Sequence, residues 1–579
     1  SLRDCVVGND ARISNCELVN RTHIGPRASL ARCGVITKAG PGAFGNGTEL
    51  PVVIGSGGRE VIAYANLDLN EAAEVAANRH DAALLERHRA SAAAFVDAVR
   101  CDLNVVCADV RIESAELVED VFLGPHACVQ GSHLEHVTVL SSEEEPTVIR
   151  GGSDVRNAVL QENVHVDSQS IVLNAVMLTC SHAERHGKLL DSILGPYSGV
   201  AEGEISESLV GPFVGFHHQS LLIASFWPAG RGNVGYGANV GSNHTGKAPD
   251  QELWHGEGCF YGLGCCIKFP SDFSHAPYSL VATGVTTLPQ RVTFPFSLIS
   301  APMTPAAGIS PAFNEIQPGW VLSQNIYMVL RNEHKFAARG GKSRSIEVDA
   351  RILRPGIVAM MRLARDQLAD PAVPDKKVYT DRDFAGLGKN IMTHAARLEA
   401  VHTYTYFLVY YALLHGLWPR LGPNATAEQA LAAAQDIERA SSVAAAEPTA
   451  QVTFTGARRR GAALPVAPDA EWAYQCAILR HEAVHIVFKD QLRGPAPAGL
   501  ALVRPMLEWL VGAKKAVAES AKMSKIKDEK RGAKLIPGYV DAHGRVAEAD
   551  SLVRRAADEA AHLANEVNNL LRLLAGSRL

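Results

Sequence analysis

One short phrase recurs through the first half of this chain and limits what the chain can fold into. It consists of an aliphatic residue, a glycine, often a proline, a small residue, and a second apolar residue six positions after the first. Copies span Val7–Ile13, Ile24–Leu30, Leu123–Val129, Leu194–Val200, Val210–Phe216 and Val234–Val240, and looser ones without the glycine span Leu160–Val166 and Leu288–Phe294. A period of six matches neither the 3.6-residue helix nor the two-residue alternation of a simple strand. It fits a solenoid of very short strands, in which every sixth residue points into a narrow apolar core and neighbouring units stack to bury it. The glycines are expected at the corners, where tight turns need backbone angles that side chains obstruct. Ordinary hairpins would instead show two-residue turns between longer alternating strands.

The repeat resembles the hexapeptide-repeat superfamily, whose members fold as left-handed parallel β-helices. The handedness is implied by the resemblance alone, and it runs against the usual right-handed crossover. The likeness covers roughly residues 1–58 and 101–300. The run from Asn233 to Gly241, continued by Ile267 to Phe273, is also similar to an uncharacterised bacterial family with a β-helix and a helical C-terminal region. That family is labelled only as a domain of unknown function, and this second likeness extends over most of the chain.

The fold class expected is therefore a β-solenoid, a left-handed parallel β-helix with a helical insertion, followed by an all-α C-terminal domain. The first part of the β-helix spans 1–58 and the main part 101–300. Between them, residues 59–100 are rich in Ala, Glu and Arg with helical periodicity from Leu69 through Leu84, Leu85, Phe95 and Val96, as expected of helices looped out at a corner. A connector at 301–320 carries Pro302, Pro305, Pro311 and Pro318, and residues 321–579 read as helices. The expected helices cover 321–338, 351–369, 389–418, 426–446, 469–491, 501–524 and 546–575. The stretch from Ala444 to Asp469 reads as an exposed linker in which Arg458, Arg459 and Arg460 form a solvated basic run.

The 579 residues, 47% of them hydrophobic, suffice for more than one domain, and a net charge of -5 gives no general attraction to nucleic acid. The 11 cysteines lack paired spacing. Several of them (Cys128, Cys180, Cys265, Cys266) lie among apolar residues and read as buried thiols of a reducing compartment. No targeting segment is visible, and the longest apolar run, Phe407 to Trp418, is too short to span a bilayer. The expectation is a cytoplasmic protein with no membrane span.

The richest polar stretch, Gly241 to Glu252, leaves the cleanest copy of the repeat. His244 is the candidate general base, because an imidazole titrates near neutrality. Asn243 and Thr245 are placed to orient a substrate and Lys247 to meet a phosphate or carboxylate. Asp250, Gln251, Glu252 and Lys268 complete the expected binding set. His217 and His218 lie about one and a half coils earlier and are expected on the same side, His218 as a second catalytic candidate and His217 in binding.

Hexapeptide-repeat acyltransferases use a His as general base on the acceptor, with the acyl carrier lying between subunits of a trimer. The resemblance thus implies a homotrimer transferring an acyl group from acyl-CoA, a co-substrate rather than a tightly bound cofactor, to a sugar or other small molecule. The alternative is a non-catalytic scaffold or binding protein built on a β-helix trimer.

A minor reading draws on His165, His182, His186, His217, His218 and His244, since some members of the superfamily are zinc-dependent carbonic anhydrases. The spacing here does not reproduce their pattern, and no metal is assigned. His481-Glu482-Ala483-Val484-His485 matches the zinc-peptidase signature. It sits in an apolar packing helix, and Glu508 is the one obvious downstream ligand, so core or interface histidines are preferred. Gly55-Ser56-Gly57-Gly58 and Gly235-Tyr236-Gly237 lack the strand-to-helix setting of a phosphate loop. Tyr404, Tyr406, Tyr410 and Tyr411 read as core or oligomer contact.

Overall fold

The computed structural model describes residues 1–54, 56–241, 251–304, 306–447, 456–462, 466–488, 498–543 and 547–576. Residues 2–300 wind into a parallel β-solenoid, and a helical C-terminal region follows. Residues stacked in adjacent coils are commonly 17 apart, as in the pairing of Val155 with Val172 and the ladder from Asn157 to Asn174, so about three phrases close one coil. Val155, Val172, Leu189, Ile205, Leu222 and Val240 form one inward ladder, each fully buried. Removing that apolar surface from water is the main driving force for stacking the coils.

The corners turn through left-handed backbone, at Asn174 (φ 47°), Cys180 (φ 63°) and His186 (φ 61°) in one coil. These are not the glycines of the phrase. Gly25, Gly195 and Gly211 are required for a different reason, the close approach of the next coil. A Cβ on Gly25 would lie 2.5 Å from the carbonyl carbon of Cys107, and one on Gly211 would lie 2.1 Å from the carbonyl oxygen of Pro228. Outside the coils, the Asn157 side-chain amide donates to Asn174 at 3.1 Å and that of Asn174 to Asp191 at 2.9 Å. Asn and Asp tolerate the left-handed region, and the ladder satisfies their polar groups.

The interruption forms an antiparallel hairpin of Glu49–Leu50 with Val61–Ile62, then helix α1 (Leu69–Ala77) and helix α2 (Ala82–Val99). Asp68 and Asp81 cap the two helices by accepting from the amides of Glu71 and Leu84. The segment is not merely looped out, because it lies back on the solenoid. Leu50, Val61, Leu67 and Ala73 pack on an outward row of Val159, Val176, Ile193, Leu209 and Phe226, building a second core.

The Pro-rich connector carries a strand of its own. Asn314–Gln317 pairs antiparallel with Leu298–Ser300 and parallel with Asn390–Thr393, so strands of the C-terminal region extend the last coils. Then come α3 (Trp320–Gln324), α4 (Ile326–Gly340), α5 (Pro355–Leu368) and α6 (His394–Ala412). A π turn at Leu413–Leu417 leads into α7 (Trp418–Leu421), followed by α8 (Ala427–Arg439) and α9 (Val443–Ala446). The remaining helices are α10 (Pro468–His481), α11 (Ala483–Ile486), α12 (Leu500–Leu535), α13 (Tyr539–His543) and α14 (Ser551–Gly576). Tyr404 is buried at the junction, its hydroxyl donating to the carbonyl of Pro295 at 2.6 Å.

Arg458 and Arg459 of the basic triplet lie in a strand rather than a loop, and Arg459 and Arg460 are exposed. Ala457–Arg459 pairs with Ile346–Val348, Arg458 meets Glu347 at 2.7 Å, and the Asn70 side chain of the insertion donates to the Ala457 carbonyl at 2.9 Å. All eleven cysteines are free thiols, Cys265 buried and Cys128, Cys180 and Cys266 half-buried. Among the described residues, no helix is long and apolar enough to cross a membrane.

Candidate active site

One outer face of the solenoid carries a row of histidines and glycines. His165, His182, Gly199, Gly215 and Asn233 stand opposite one another in consecutive coils. Their neighbours Val166, Ala183, Val200, Phe216 and Val234 are the buried inward residues, so the row itself faces outward. The two glycines leave a floor without side chains, and the flanking groups fold over it. A Cβ on Gly199 would meet Nε2 of His182 at 2.0 Å, and one on Gly215 would meet Oδ1 of Asn233 at 2.7 Å and Nε2 of His217 at 3.7 Å.

Helix α4 is fixed beside this face by its apolar side. The Phe336 ring lies 4.9 Å from that of Phe213, Phe213 stacks on Tyr197 at 4.9 Å, and the Tyr197 hydroxyl donates to the Gly340 carbonyl at 3.2 Å. Arg331, Lys335 and Arg339, four residues apart, share one side of α4. None of the three has an ion-pair partner among the described residues. Burial, and then the charges of Arg339 and Arg331, push the Lys335 ammonium down to about 8. Burial lowers the His182 imidazole, with His217 and Arg339 adding to the effect against the opposing Glu184. His217 is lowered by burial first, then by His218 and Arg185, with Lys335 contributing, and its Nδ1 is buried without a hydrogen bond.

His218 occupies the adjoining corner at φ 59°, exposed, with Nδ1 2.8 Å from Oε2 of Glu202. That bond assigns the proton to Nδ1 and turns the Nε2 lone pair outward, the arrangement a general base needs. Arg185 approaches the same carboxylate at 3.9 Å.

Of the residues singled out in the sequence, Asn243, His244, Thr245, Lys247 and Asp250 lie outside the described residues. Gln251 is exposed. Glu252 is already committed, accepting from Nε of Arg59 at 2.6 Å and from the Trp254 indole at 2.8 Å. Lys268 is half-buried just after the strand Cys266–Ile267. Most of the stretch from Gly241 to Glu252, expected on the side of His217 and His218, lies outside the described residues. At its described ends, Gly241 lies against the Ile223 carbonyl and Leu253 pairs with Ser225. His218 turns the chain just before the strand Leu221–Ile223.

His165, His182 and His217 share the outer face, with His186 and His218 at the corner beside it. Among the described residues, no three His, Cys, Asp or Glu side chains converge on a metal position. In the peptidase-like motif, Glu482 is held by Arg365 at 2.7 and 2.8 Å, and His481 Nε2 lies 3.1 Å from the Ser441 carbonyl. The side chain of His485 lies outside the description. A cavity of about 660 Å³ opens there, lined by Asp366, Thr405 and His481.

Two features escaped the sequence reading. The unpaired row on α4 was visible as cations spaced four apart, but its partner face is remote in sequence. A buried chain also passes from Ser192 through Ser208 to Ser225, whose hydroxyl lies 3.0 Å from Nε2 of His255, with Tyr261 on the other ring nitrogen. Burial drives His255 down to about 3. It is a neutral structural imidazole, out of a substrate's reach.

The family described as Domain of unknown function (DUF4954) matches residues 1–300. An uncharacterized protein of Treponema pallidum (strain Nichols) is 26% identical over 416 residues, which cover 69% of this chain and 56% of the relative. The chain thus spans about half the length of that relative. With the match extending over just over half of its residues, the chain belongs to the DUF4954 family.

Proposed function

We propose that this chain is a hexapeptide-repeat transferase, acting as a homotrimer that moves an acyl group from acyl-CoA to a hydroxyl or amine of a sugar or similar small molecule. The observation that carries this reading is the pairing of His218 with Glu202 at 2.8 Å on an exposed corner, with Nε2 unpartnered among the described residues. In the proposed step His218 takes the acceptor proton as the acceptor atom bonds to the thioester carbonyl carbon. The C–S bond then breaks, and the proton passes to the departing thiolate. Glu202 holds the ring and stabilises the imidazolium. A copy of the chain packed on this corner would exclude water from it, and the free thiols fit a cytoplasmic setting. His244 is the other proposed base and rests on the sequence alone.

The test is thiol release from acyl-CoA donors by the purified chain, with a panel of sugars and amines as acceptors. Removing a general base costs about 10²–10⁴-fold in rate. A loss of that size in His218→Ala, with His244→Ala near normal, is the expected result. The opposite pattern moves the base to His244. No turnover and no ligand-induced melting shift with any donor returns the chain to the scaffold reading.

A further inference from the structure

We infer that the strip between α4 and the glycine floor at Gly199 and Gly215 binds the phosphate groups of a small molecule, with Lys335, Arg339 and Arg331 on one side and His182 and His217 on the other. This goes beyond the transferase reading and does not need it, because a non-catalytic binding protein could use the same site.

The first argument is the absence of counter-charge. Several buried cations are matched, Arg354 with Glu257, Arg365 with Glu482 and Arg362 with Glu447. The row on α4 is not matched among the described residues, although the chain carries a net charge of -5. Carboxylates of the facing coils are already engaged, Glu184 with Arg185 at 2.9 Å and Glu202 with His218 at 2.8 Å. Arg331 and Arg339 are exposed and Lys335 is half-buried between them, so a bound anion would remove the cost that burial and two like charges impose on the Lys335 ammonium.

The second argument is shape. The missing Cβ atoms let the His182 ring settle over Gly199 and the Asn233 side chain over Gly215, so polar side-chain atoms stand where other residues would place apolar carbon. His182 Nε2, His217 Nε2 and the Asn233 side chain already lean over that floor. The buried Nδ1 of His217 has no protein partner, so the site holds a polar group that its own residues leave unsatisfied. A phosphate suits guanidinium forks and imidazolium donors together, because its oxygens accept from several directions. From Arg331 to Arg339 the helix rises about 12 Å, a length suited to more than one phosphate. The row is single and short, which favours a small phosphorylated ligand over a nucleic acid.

The test is calorimetric titration of the full chain with inorganic phosphate, pyrophosphate and CoA at neutral pH. Each charged hydrogen bond lost is expected to weaken pyrophosphate binding by about tenfold or more. Lys335→Ala and Arg339→Ala should each show this at an unchanged melting temperature, and Lys335→Arg should restore much of it. CoA binding tighter than pyrophosphate and competitive with it identifies a nucleotide-borne phosphate; equal or weaker binding identifies a free one. Either supports the site if the Lys335→Ala/Arg339→Ala double variant abolishes it. Affinity unchanged in that double variant, or no binding of any probe at millimolar concentration, overturns the inference. His218→Ala should retain phosphate binding, so failure of the transferase reading is distinguishable from failure of this one.

Discussion

Arg354 at the start of α5 reaches Glu257 of the solenoid with Nη1 2.8 Å from Oε1, and both side chains are almost wholly buried. Tyr278 donates to the same carboxylate at 2.6 Å, and Nε of Arg231 lies 3.6 Å away. Burial by itself would raise the Glu257 carboxyl, but Arg354 and Arg231 outweigh it and hold the group below the usual glutamate range. Glu257→Gln leaves two buried guanidiniums without a counter-charge, so a loss of about 3–5 kcal/mol is expected. Because the folded carboxyl titrates lower than the unfolded one, its contribution is complete above the ordinary glutamate pKa. It is lost as pH falls through the depressed folded value. Chemical denaturation from pH 7 downward should therefore show a steep acid limb in the native chain and a flatter one in Glu257→Gln. Equal stability of the two chains at neutral pH would remove this cluster as the bolt between solenoid and helices.

Two glycine substitutions separate coil packing from site geometry. Gly211→Ala puts a methyl 2.1 Å from the Pro228 carbonyl oxygen, against backbone that cannot yield without parting two coils. Overpacking of this kind costs about 1–3 kcal/mol and sometimes more. The three atoms nearest a Cβ on Gly199 all belong to the His182 ring, the first at 2.0 Å, and a side chain can swing away. The expected result is a clear drop in melting temperature for Gly211→Ala and a small one for Gly199→Ala. Phosphate binding, in contrast, should fail in Gly199→Ala because His182 is displaced from the floor. Equal thermal losses in both would contradict the distinction.

These cases also show which parts of the molecule are legible in sequence. The solenoid is, because each phrase repeats the same inward position, as Val200 and Phe216 do, and periodicity is a local property. The reason for the glycines was not, because the atom that forbids a Cβ at Gly211 belongs to Pro228 in the next coil. The site was legible only in part. His217 and His218 are conspicuous as a pair, but Glu202 is one coil earlier and Lys335 more than a hundred residues later. The outward row Val159, Val176, Ile193, Leu209 and Phe226 was equally hidden, since an apolar residue outside a solenoid has meaning only once its cover is known.

That row yields a third expectation. Phe226 is 1% exposed beneath the insertion, and its ring lies 4.3 Å from that of Trp254. Phe226→Ala should cost about 3–5 kcal/mol, the range for truncating a buried aromatic. Limited proteolysis should then cut within residues 59–100 sooner than in the native chain. Protection of the segment unchanged in the variant would mean that the second core does not hold it in place.

The phosphate site carries its own pH signature, set by groups on both elements that face it. Lys335, beside Arg331 and Arg339, is held at about 8, so it loses its proton in the empty site as pH rises above that value. Affinity for pyrophosphate should therefore fall between pH 7 and 9, and Lys335→Arg, whose guanidinium stays charged, should flatten that limb. On the acid side, His182 faces Glu184, His217, Arg339 and His165, and His217 faces His218, Arg185, Glu184 and Lys335. Burial and the cations hold both imidazoles neutral to a lower pH than usual, so each gains a donor and a charge only below the ordinary histidine range. A bound phosphate raises both, and affinity should climb as pH drops from 7 toward 5.5 until the ligand itself takes up protons. Replacing both with glutamine should remove the rise at low pH and leave the Lys335 limb intact. A pH-independent affinity in the native chain would place the anion somewhere other than between α4 and the glycine floor.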